Sequence, residues 1–142
     1  MSLLLETNVV SELRKEGSRA NPRVRAWLEG VADEEIHLSV LVIGELRRGI
    51  ELVRRRDVRQ AIALERWLGR VVNDHADRIL PVDHRVAEEW GRLSARRPAS
   101  VVDTMMAATA LVHGLILVTR NVRDVGWTGV SCVNPFENRG PA

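Results

Sequence analysis

The stretch Leu3–Asn8, "LLLETN", decides the fold class of this chain. Three consecutive leucines show no alternation of apolar and polar residues, so they predict a strand that is buried on both faces. Such strands are typical of parallel sheets that carry helices on both sides. Glu6 follows this strand directly, and a buried charge is costly unless it is paired or bound to a cation. The stretch therefore predicts an α/β fold whose first strand ends in a functional carboxylate.

The rest of the chain alternates strands with helices. Further strands are predicted at Ile36–Ser39, Ile79–Val82, Leu115–Thr119 and, as a short last strand, Val130–Val133. Helices are predicted at Val9–Arg14, Arg23–Gly30, Val40–Arg55 and residues 57–75, from Asp83 to the break at Arg96-Arg97-Pro98, and from Ser100 to His113. Asn8, Asn21-Pro22 and Ser39 are the predicted starts of the first three, and Gly17 is the predicted end of the first. A capping box opens the last helix, and Gly114 ends it. This order predicts one α/β domain over residues 1–142, with a central parallel sheet of four to five strands covered by helices on both faces. Residues 137–142 are expected to form a short flexible tail.

Composition and cysteine content restrict the class of protein. The chain has 142 residues, of which 45% are hydrophobic and 28% charged, which is typical of a soluble globular domain. Cys132 is the only cysteine, which excludes an internal disulfide and a cysteine-based metal site. The apolar run near the start is too short for a signal peptide, and no stretch is long enough to span a membrane. We therefore expect a cytoplasmic protein without a membrane partner.

Four acidic residues fall near the carboxyl ends of the predicted strands, where open parallel sheets bind their ligands. They are Glu6, Glu45, Asp103 and Asp124. Each has an ordinary structural explanation as well: Glu45 as a solvated helix residue, Asp103 as part of a capping box, and Asp124 as a turn cap. Clustered carboxylates repel one another, so some must take up protons or a cation must neutralise them. Mg²⁺ and Mn²⁺ prefer oxygen ligands and assist phosphodiester chemistry.

Four motifs in order resemble one known family. They are "LLLETNVVSEL" at residues 3–13, "VIGELRRGI" at 42–50, "VVDTMMAATALVHGLILVTRNVRDV" at 101–125 and "NPF" at 134–136. Together they strongly resemble the PIN-domain toxins of the VapC type over nearly the whole chain. The first motif of that family is normally an aspartate followed by Thr-Asn, whereas this chain has Glu6-Thr7-Asn8.

The resemblance implies a PIN-like fold and an endoribonuclease that depends on Mg²⁺ or Mn²⁺ and cleaves RNA as the toxin of a type II toxin–antitoxin pair. By the same resemblance, Glu6 and Asp103 would bind the metal directly, and Glu45 and Asp124 would act through water or a second ion. The polar residues expected to orient these carboxylates are Thr7, Asn8, Thr119 and Asn121. The implied partners are an RNA substrate, a VapB-type antitoxin and a second copy of the chain.

Glu6 leaves two interpretations open. Its extra methylene moves the carboxylate by roughly 1.5 Å relative to aspartate, which predicts reduced activity if the metal geometry is strict. The alternative is a catalytically weak or inactive PIN-fold module that binds RNA or an antitoxin.

Arginine supplies almost all of the positive charge. Lys15 is the only lysine among 21 basic residues, and the net charge is only +2. A basic segment comprising Arg47, Arg48, Arg54, Arg55, Arg56 and Arg59 is a candidate RNA contact, as is Arg120. The alternative for that segment is a solvated helix face. The tryptophans, which form no repeated pattern, are expected in the core or at a dimer interface: Trp27, Trp67, Trp90 and Trp127.

Overall fold

A computed structural model describes residues 1–15 and 19–137 of the chain. Its five strands are β1 (Leu3–Leu5), β2 (Ile36–Ser39), β3 (Ile79–Leu80), β4 (Ile116–Val118) and β5 (Cys132–Val133). All neighbouring strands are parallel, in the spatial order β3-β2-β1-β4-β5. The strand order therefore grows in one direction from β1 to β3 and then reverses to β4 on the other side of β1. The predicted parallel sheet is confirmed.

Seven α-helices connect and cover these strands. They are α1 (Thr7–Val10), α2 (Pro22–Glu29), α3 (Val40–Arg54), α4 (Val58–Asp74), α5 (His84–Ser94), α6 (Val101–His113) and α7 (Val122–Val125). Because crossovers between parallel strands are right-handed, the reversal of strand order at β1 directs helices to both faces of the sheet. All three residues of β1 are fully buried, as expected for a strand covered on both faces.

The core is aliphatic and is built around the two central strands. Its largest fully buried side chains include Leu4, Leu38, Leu117 and Met106. All four tryptophans are partly buried and pack against this core: Trp27, Trp67, Trp90 and Trp127. The tryptophans therefore contribute to core packing, which is one of the two roles expected from the sequence.

Most predicted helix ends are confirmed by hydrogen bonds. Asn21, Ser39 and Asp83 accept backbone N–H bonds at the starts of α2, α3 and α5. Ser100 does the same at the start of α6, accepting from the Asp103 backbone N–H. Gly114 ends α6 with φ of 66°, a left-handed conformation that glycine adopts without steric cost.

The first helix starts earlier than predicted. The backbone N–H groups of Val9 and Val10 donate to the Glu6 carbonyl, so Glu6 takes the N-cap position and Asn8 lies inside the first turn. Since β1 ends at Leu5, the chain turns into a helix immediately after the acidic residue, and Asn8 does not cap it. The four-residue helix then continues as a 3-10 turn at Ser11–Arg14.

Other boundaries also differ from the prediction. β3 comprises two residues instead of four, β4 three instead of five, and β5 two instead of four. β3 and β5 are the edge strands, and each pairs with one neighbour only. Asp124 lies in the one-turn helix α7 rather than in a loop. Gly17, the predicted end of the first helix, and the tail beyond Glu137 lie outside the described residues.

Candidate functional site

The site lies where the strand order reverses, between the carboxyl ends of β1 and β4. The Glu6 backbone N–H donates to the Val118 carbonyl at 3.0 Å, which fixes the first acidic residue beside the end of β4. Thr119 follows β4 directly and is fully buried. In open α/β sheets this reversal leaves a crevice outside the strand ends, which is where ligands bind. The topology therefore puts Glu6 at the place expected for a ligand.

Glu6 is buried and is held by a chain of hydrogen bonds. The residue is only 6% exposed to solvent. The Thr119 hydroxyl donates to Glu6 Oε2 at 2.5 Å, and the Asn121 backbone N–H donates to that hydroxyl at 2.9 Å. These contacts leave the carboxylate one defined orientation at the end of β1.

Burial raises the pKa of Glu6 to about 7. The hydrogen bond from Thr119 opposes this shift, while the negative charges of Asp103, Glu45 and Asp124 add to it. An acid whose ordinary pKa is near 4.5 is therefore partly protonated at neutral pH. The four predicted acids thus share one electrostatic environment, although they are far apart in the sequence.

Asp103 lies in the first turn of α6 and is partly buried. Burial raises the pKa of its carboxyl group, and the charges of Asp124 and Glu45 raise it further. A hydrogen bond with the Ser100 side chain acts in the opposite direction. Burial and the neighbouring carboxylates thus both favour the neutral form of Asp103, as they do for Glu6.

Glu45 and Asn8 complete the polar lining near β1. The Thr7 hydroxyl donates to Glu45 Oε1 at 2.6 Å, which ties α3 to the turn after β1. Asn8 Oδ1 is buried and accepts no hydrogen bond from the part of the chain that the structure describes. A buried acceptor without a donor is unfavourable, and a ligand donor in the cleft would satisfy it.

These side chains line a cleft of about 310 Å³. Its lining comprises Glu6, Thr7, Asn8, Glu45, Val102, Asp103 and Asn121. No arginine, lysine or histidine belongs to this set within the described residues. Asp124 is exposed on α7 and is not part of the lining, but its charge acts on both Glu6 and Asp103. The cleft is therefore acidic and has no cation of its own.

The donor chemistry of the cleft fits a hard divalent cation. Oxygen is the only type of ligand atom that its carboxylates, hydroxyl and amide carbonyls offer, and a cation would neutralise the carboxylate charges that add to the burial of Glu6. Among residues 1–15 and 19–137, no three His, Cys, Asp or Glu side chains stand close enough together to bind one metal ion. Mg²⁺ commonly binds one or two carboxylates and keeps several waters, so a complete protein cage is not required.

The basic segment on α3 divides into two groups. Arg54 pairs with Glu51 on its own helix and with Glu65 on α4, and Arg47 lies 3.3 Å and 3.6 Å from the same two carboxylates. Arg48 is exposed as well, but it forms no ion pair with the described residues.

Arg120 stacks on the Phe136 ring, with its guanidinium 4.5 Å from the ring centroid, and remains exposed. This contact fixes the direction of the Arg120 side chain just after Thr119.

Sequence reasoning did not assign two residues of this region to the site. Val102 supplies an apolar wall of the cleft, and nothing in its sequence context indicates that role. Trp127 donates from Nε1 to the Asp124 carbonyl at 3.0 Å and so supports the end of α7. The short spacing from Asp124 to Trp127 is the only sequence signal for this contact.

Comparisons with known proteins agree with the architecture. The family model described as PIN domain matches residues 3–123. VapC ribonuclease Y4jK of Sinorhizobium fredii is 33% identical over 141 residues, covering 95% of this chain and 98% of that protein. Toxin FitB of Neisseria gonorrhoeae is 32% identical over 141 residues, covering 96% and 99%.

The same similarity appears in three dimensions. The crystal structure of FitAcB from Neisseria gonorrhoeae matches with a TM-score of 0.85 and 31% identity, covering 94% of this chain and 98% of that one. No helix in the described part of the chain is long and apolar enough to cross a membrane. On the combined match of fold, family model and relatives, the chain belongs to the PIN domain family, among its VapC-type toxins.

Proposed function

We propose that this protein is an endoribonuclease toxin that depends on a divalent cation, Mg²⁺ or Mn²⁺. The observation that carries the proposal is the cleft at the reversal of strand order, where four carboxylates act on one another and the pKa of Glu6 rises to about 7. Such a site is unfavourable when empty and becomes favourable when a cation and a phosphodiester enter it together. The relative named VapC ribonuclease supports RNA as the substrate.

We propose the following roles for the side chains, taking the cation ligands from the family resemblance. Glu6 and Asp103 would hold the cation directly, and Glu45 and Asp124 would act through water or a second ion. A bound Mg²⁺ or Mn²⁺ would supply a Lewis acid that stabilises negative charge on the phosphate. Thr119 and Thr7 would orient Glu6 and Glu45 through the hydrogen bonds that they donate. Asn121 would in turn hold Thr119, and Asn8 Oδ1 would accept a hydrogen bond from a bound water or from the substrate.

Glu6 favours a second candidate function. A glutamate at the first acidic position displaces the carboxylate by roughly 1.5 Å relative to aspartate. Mg²⁺ tolerates little departure from octahedral geometry, so the site would bind the cation less well or position it poorly. The protein would then be a weak nuclease, or a PIN-fold module that binds RNA or an antitoxin without efficient cleavage.

Cleavage of total RNA by the purified protein distinguishes these functions. We expect cleavage with Mg²⁺ or Mn²⁺, none with EDTA, and none from Asp103→Asn, which keeps the side-chain shape but removes the charge. Unchanged far-UV circular dichroism of the variant would show that its fold is intact. Cleavage that resists EDTA would refute the cation-dependent mechanism. Cation binding without cleavage would favour the second candidate function.

The partner is proposed to be a VapB-type antitoxin. The structural neighbours include FitAB bound to a DNA fragment, matched at 28% identity and a TM-score of 0.85. The acidic cleft lacks a cation of its own, so we expect a basic side chain of the antitoxin to enter it. Co-purification of a co-expressed VapB-type antitoxin with the wild-type protein, and weaker binding to Glu45→Gln/Asp103→Asn, would support this arrangement. A complex that leaves the four acids open to solvent would contradict it.

A further inference from the structure

The α3 helix presents three distinct sides along its length. The first is buried in the core and carries Val42, Leu46 and Ile50. A second side faces α4 and carries Arg47, Glu51 and Arg54, which form the ion-pair network with Glu65. The third side carries Glu45, Arg48, Leu52 and Arg55, which follow one another at helical spacings of three or four residues. We call this third set the Glu45 stripe.

The Glu45 stripe starts inside the acidic cleft. Thr7 holds Glu45 by its hydroxyl at 2.6 Å, so the first member of the stripe is fixed at the site. Arg48 lies one turn farther along the helix, and Arg55 about 15 Å from Glu45 along the helix axis. All four members of the stripe are solvent-exposed. A basic track therefore leads outward from the cleft along one side of α3.

The arginines of α3 differ in how far their charge is already neutralised. Arg47 and Arg54 share Glu51 and Glu65, so their guanidinium groups are engaged by carboxylates. Arg48 and Arg55 are exposed, and neither forms an ion pair with the described residues. Arginine binds phosphate through its planar fork of donors, and this requires guanidinium groups that are accessible.

We infer that Arg48 and Arg55 bind the backbone phosphates of a single-stranded RNA that extends from the scissile position along α3. This inference rests on the proposed nuclease function and adds the direction in which the substrate leaves the cleft. The acidic cleft itself would repel a polyanion, so attraction has to come from cations beside it. The Glu45 stripe provides such cations next to the proposed site of cleavage. Leu52, which lies between the two arginines, would contact a base or a sugar.

Binding of a fluorescently labelled, mixed-sequence RNA 20-mer, measured in EDTA to prevent cleavage, tests this inference. We expect Arg48→Gln/Arg55→Gln to weaken binding about tenfold or more. Each phosphate contact contributes about −0.7 to the slope of log affinity against log salt, so the slope should become shallower by about 1.4. The control is Arg92→Gln, which removes one positive charge, half the number that the double variant removes, from an exposed arginine on α5 that pairs with Glu89. We expect it to change affinity less than twofold.

The outcomes separate this inference from the proposed function. If the loss of log affinity in Arg92→Gln were half or more of the loss in the double variant, net charge alone would explain both, and the inference would be overturned. Unchanged RNA binding by the double variant would also overturn the inference. If that variant bound the antitoxin more weakly while RNA binding stayed unchanged, the two arginines would contact the antitoxin and not RNA. If the protein binds RNA through the two arginines but never cleaves it with Mg²⁺ or Mn²⁺, the nuclease proposal fails and the RNA track stands. Circular dichroism and melting curves should match the wild type, because both residues are exposed.

Discussion

Burial of the Glu6 carboxylate is unfavourable for folding, but it places this carboxylate in the proposed site. Its carboxylate is buried at the end of the central strand, is held by Thr119, and has its pKa raised to about 7. A side chain with this environment is favourable only when protonated or when bound to a cation. The first two predictions follow from this single residue.

Between pH 4.5 and 7 the folded protein holds a proton on Glu6 that the unfolded chain releases. Stability therefore falls as pH rises through this window and stays low above it. The shift from 4.5 to about 7 corresponds to a loss on the order of 3 kcal/mol. Urea unfolding in EDTA at pH 5 and pH 8 measures this loss, and Glu6→Gln should remove it because it carries no charge at either pH.

The difference between wild type and Glu6→Gln isolates this group, since all other titrations are shared. Glu6→Gln should be the more stable protein at pH 8 and inactive toward RNA. Saturating Mg²⁺ should restore stability to the wild type at pH 8 and leave Glu6→Gln unchanged. Equal pH dependence in the two proteins would contradict the raised pKa of Glu6.

The length of the Glu6 side chain is tested by Glu6→Asp. If glutamate misplaces the cation by about 1 Å, shortening it should raise the cleavage rate, by up to about a hundredfold. The assay is single-turnover cleavage of labelled RNA at saturating Mg²⁺. Glu6→Asp also lengthens the gap to Thr119, so Thr119→Val serves as the control for loss of that contact alone. A rate that is unchanged or lower in Glu6→Asp would show that the site is adapted to glutamate.

At the scale of secondary-structure elements, the sequence predicted the sheet and most helix ends correctly. The continuous apolar run at Leu3–Leu5 indicated a strand buried on both faces, and Asn21, Ser39, Asp83 and Ser100 indicated helix starts through their own side-chain hydrogen bonds. These features depend on residues that are close together in the sequence, so a local sequence pattern is enough to predict them.

The errors and omissions concern the start of the first helix and the contacts within the site. Asn8 has a side chain suited to capping, but the backbone N–H groups of Val9 and Val10 bond to the Glu6 carbonyl, so the helix starts before it. The residues that orient the carboxylates were expected from the family resemblance. Their actual bonds, such as Thr119 to Glu6, join positions that are distant in the sequence and are visible only in the fold. Val102 in the cleft wall had no sequence signal.

Substitutions of two glycines, one that follows α6 and one inside α3, test the backbone conformation with opposite expected signs. Gly114→Ala should destabilise the protein by about 1 kcal/mol, because alanine at a φ of 66° is strained at the end of α6. Gly49→Ala, inside α3, should stabilise it by up to about 1 kcal/mol, because a methyl group there meets no atom within 4 Å and alanine favours helix. Thermal melts should move by roughly 4 °C in opposite directions. If both melting temperatures moved in the same direction, one of the two glycines would not have the backbone conformation described above.

On the scale of the whole molecule, exposed apolar side chains remain on α4. Val58 and Ile62 are 57% and 41% exposed and lie one turn apart on the same side of the helix. Since the tryptophans pack against the core, these residues are the better candidates for contact with a second copy. We expect a homodimer by analytical ultracentrifugation at micromolar concentration, and a monomer for Ile62→Asp with unchanged circular dichroism. Monomeric wild-type protein at that concentration would refute this prediction.

The reversal of strand order between β1 and β4 has a consequence for the synthesis of the protein. Glu6 leaves the ribosome first among the four acids, whereas Thr119, which holds it, and Asp124 appear only when most of the chain has been made. At ordinary translation speeds this delay lasts roughly 5–20 s. Once β2 has emerged, β1 can pair with it but not yet with β4, so the cleft still lacks one of the two strands that flank it. A growing chain consequently lacks the assembled site while it is still attached to the ribosome, and a chain that stops before β4 never acquires it.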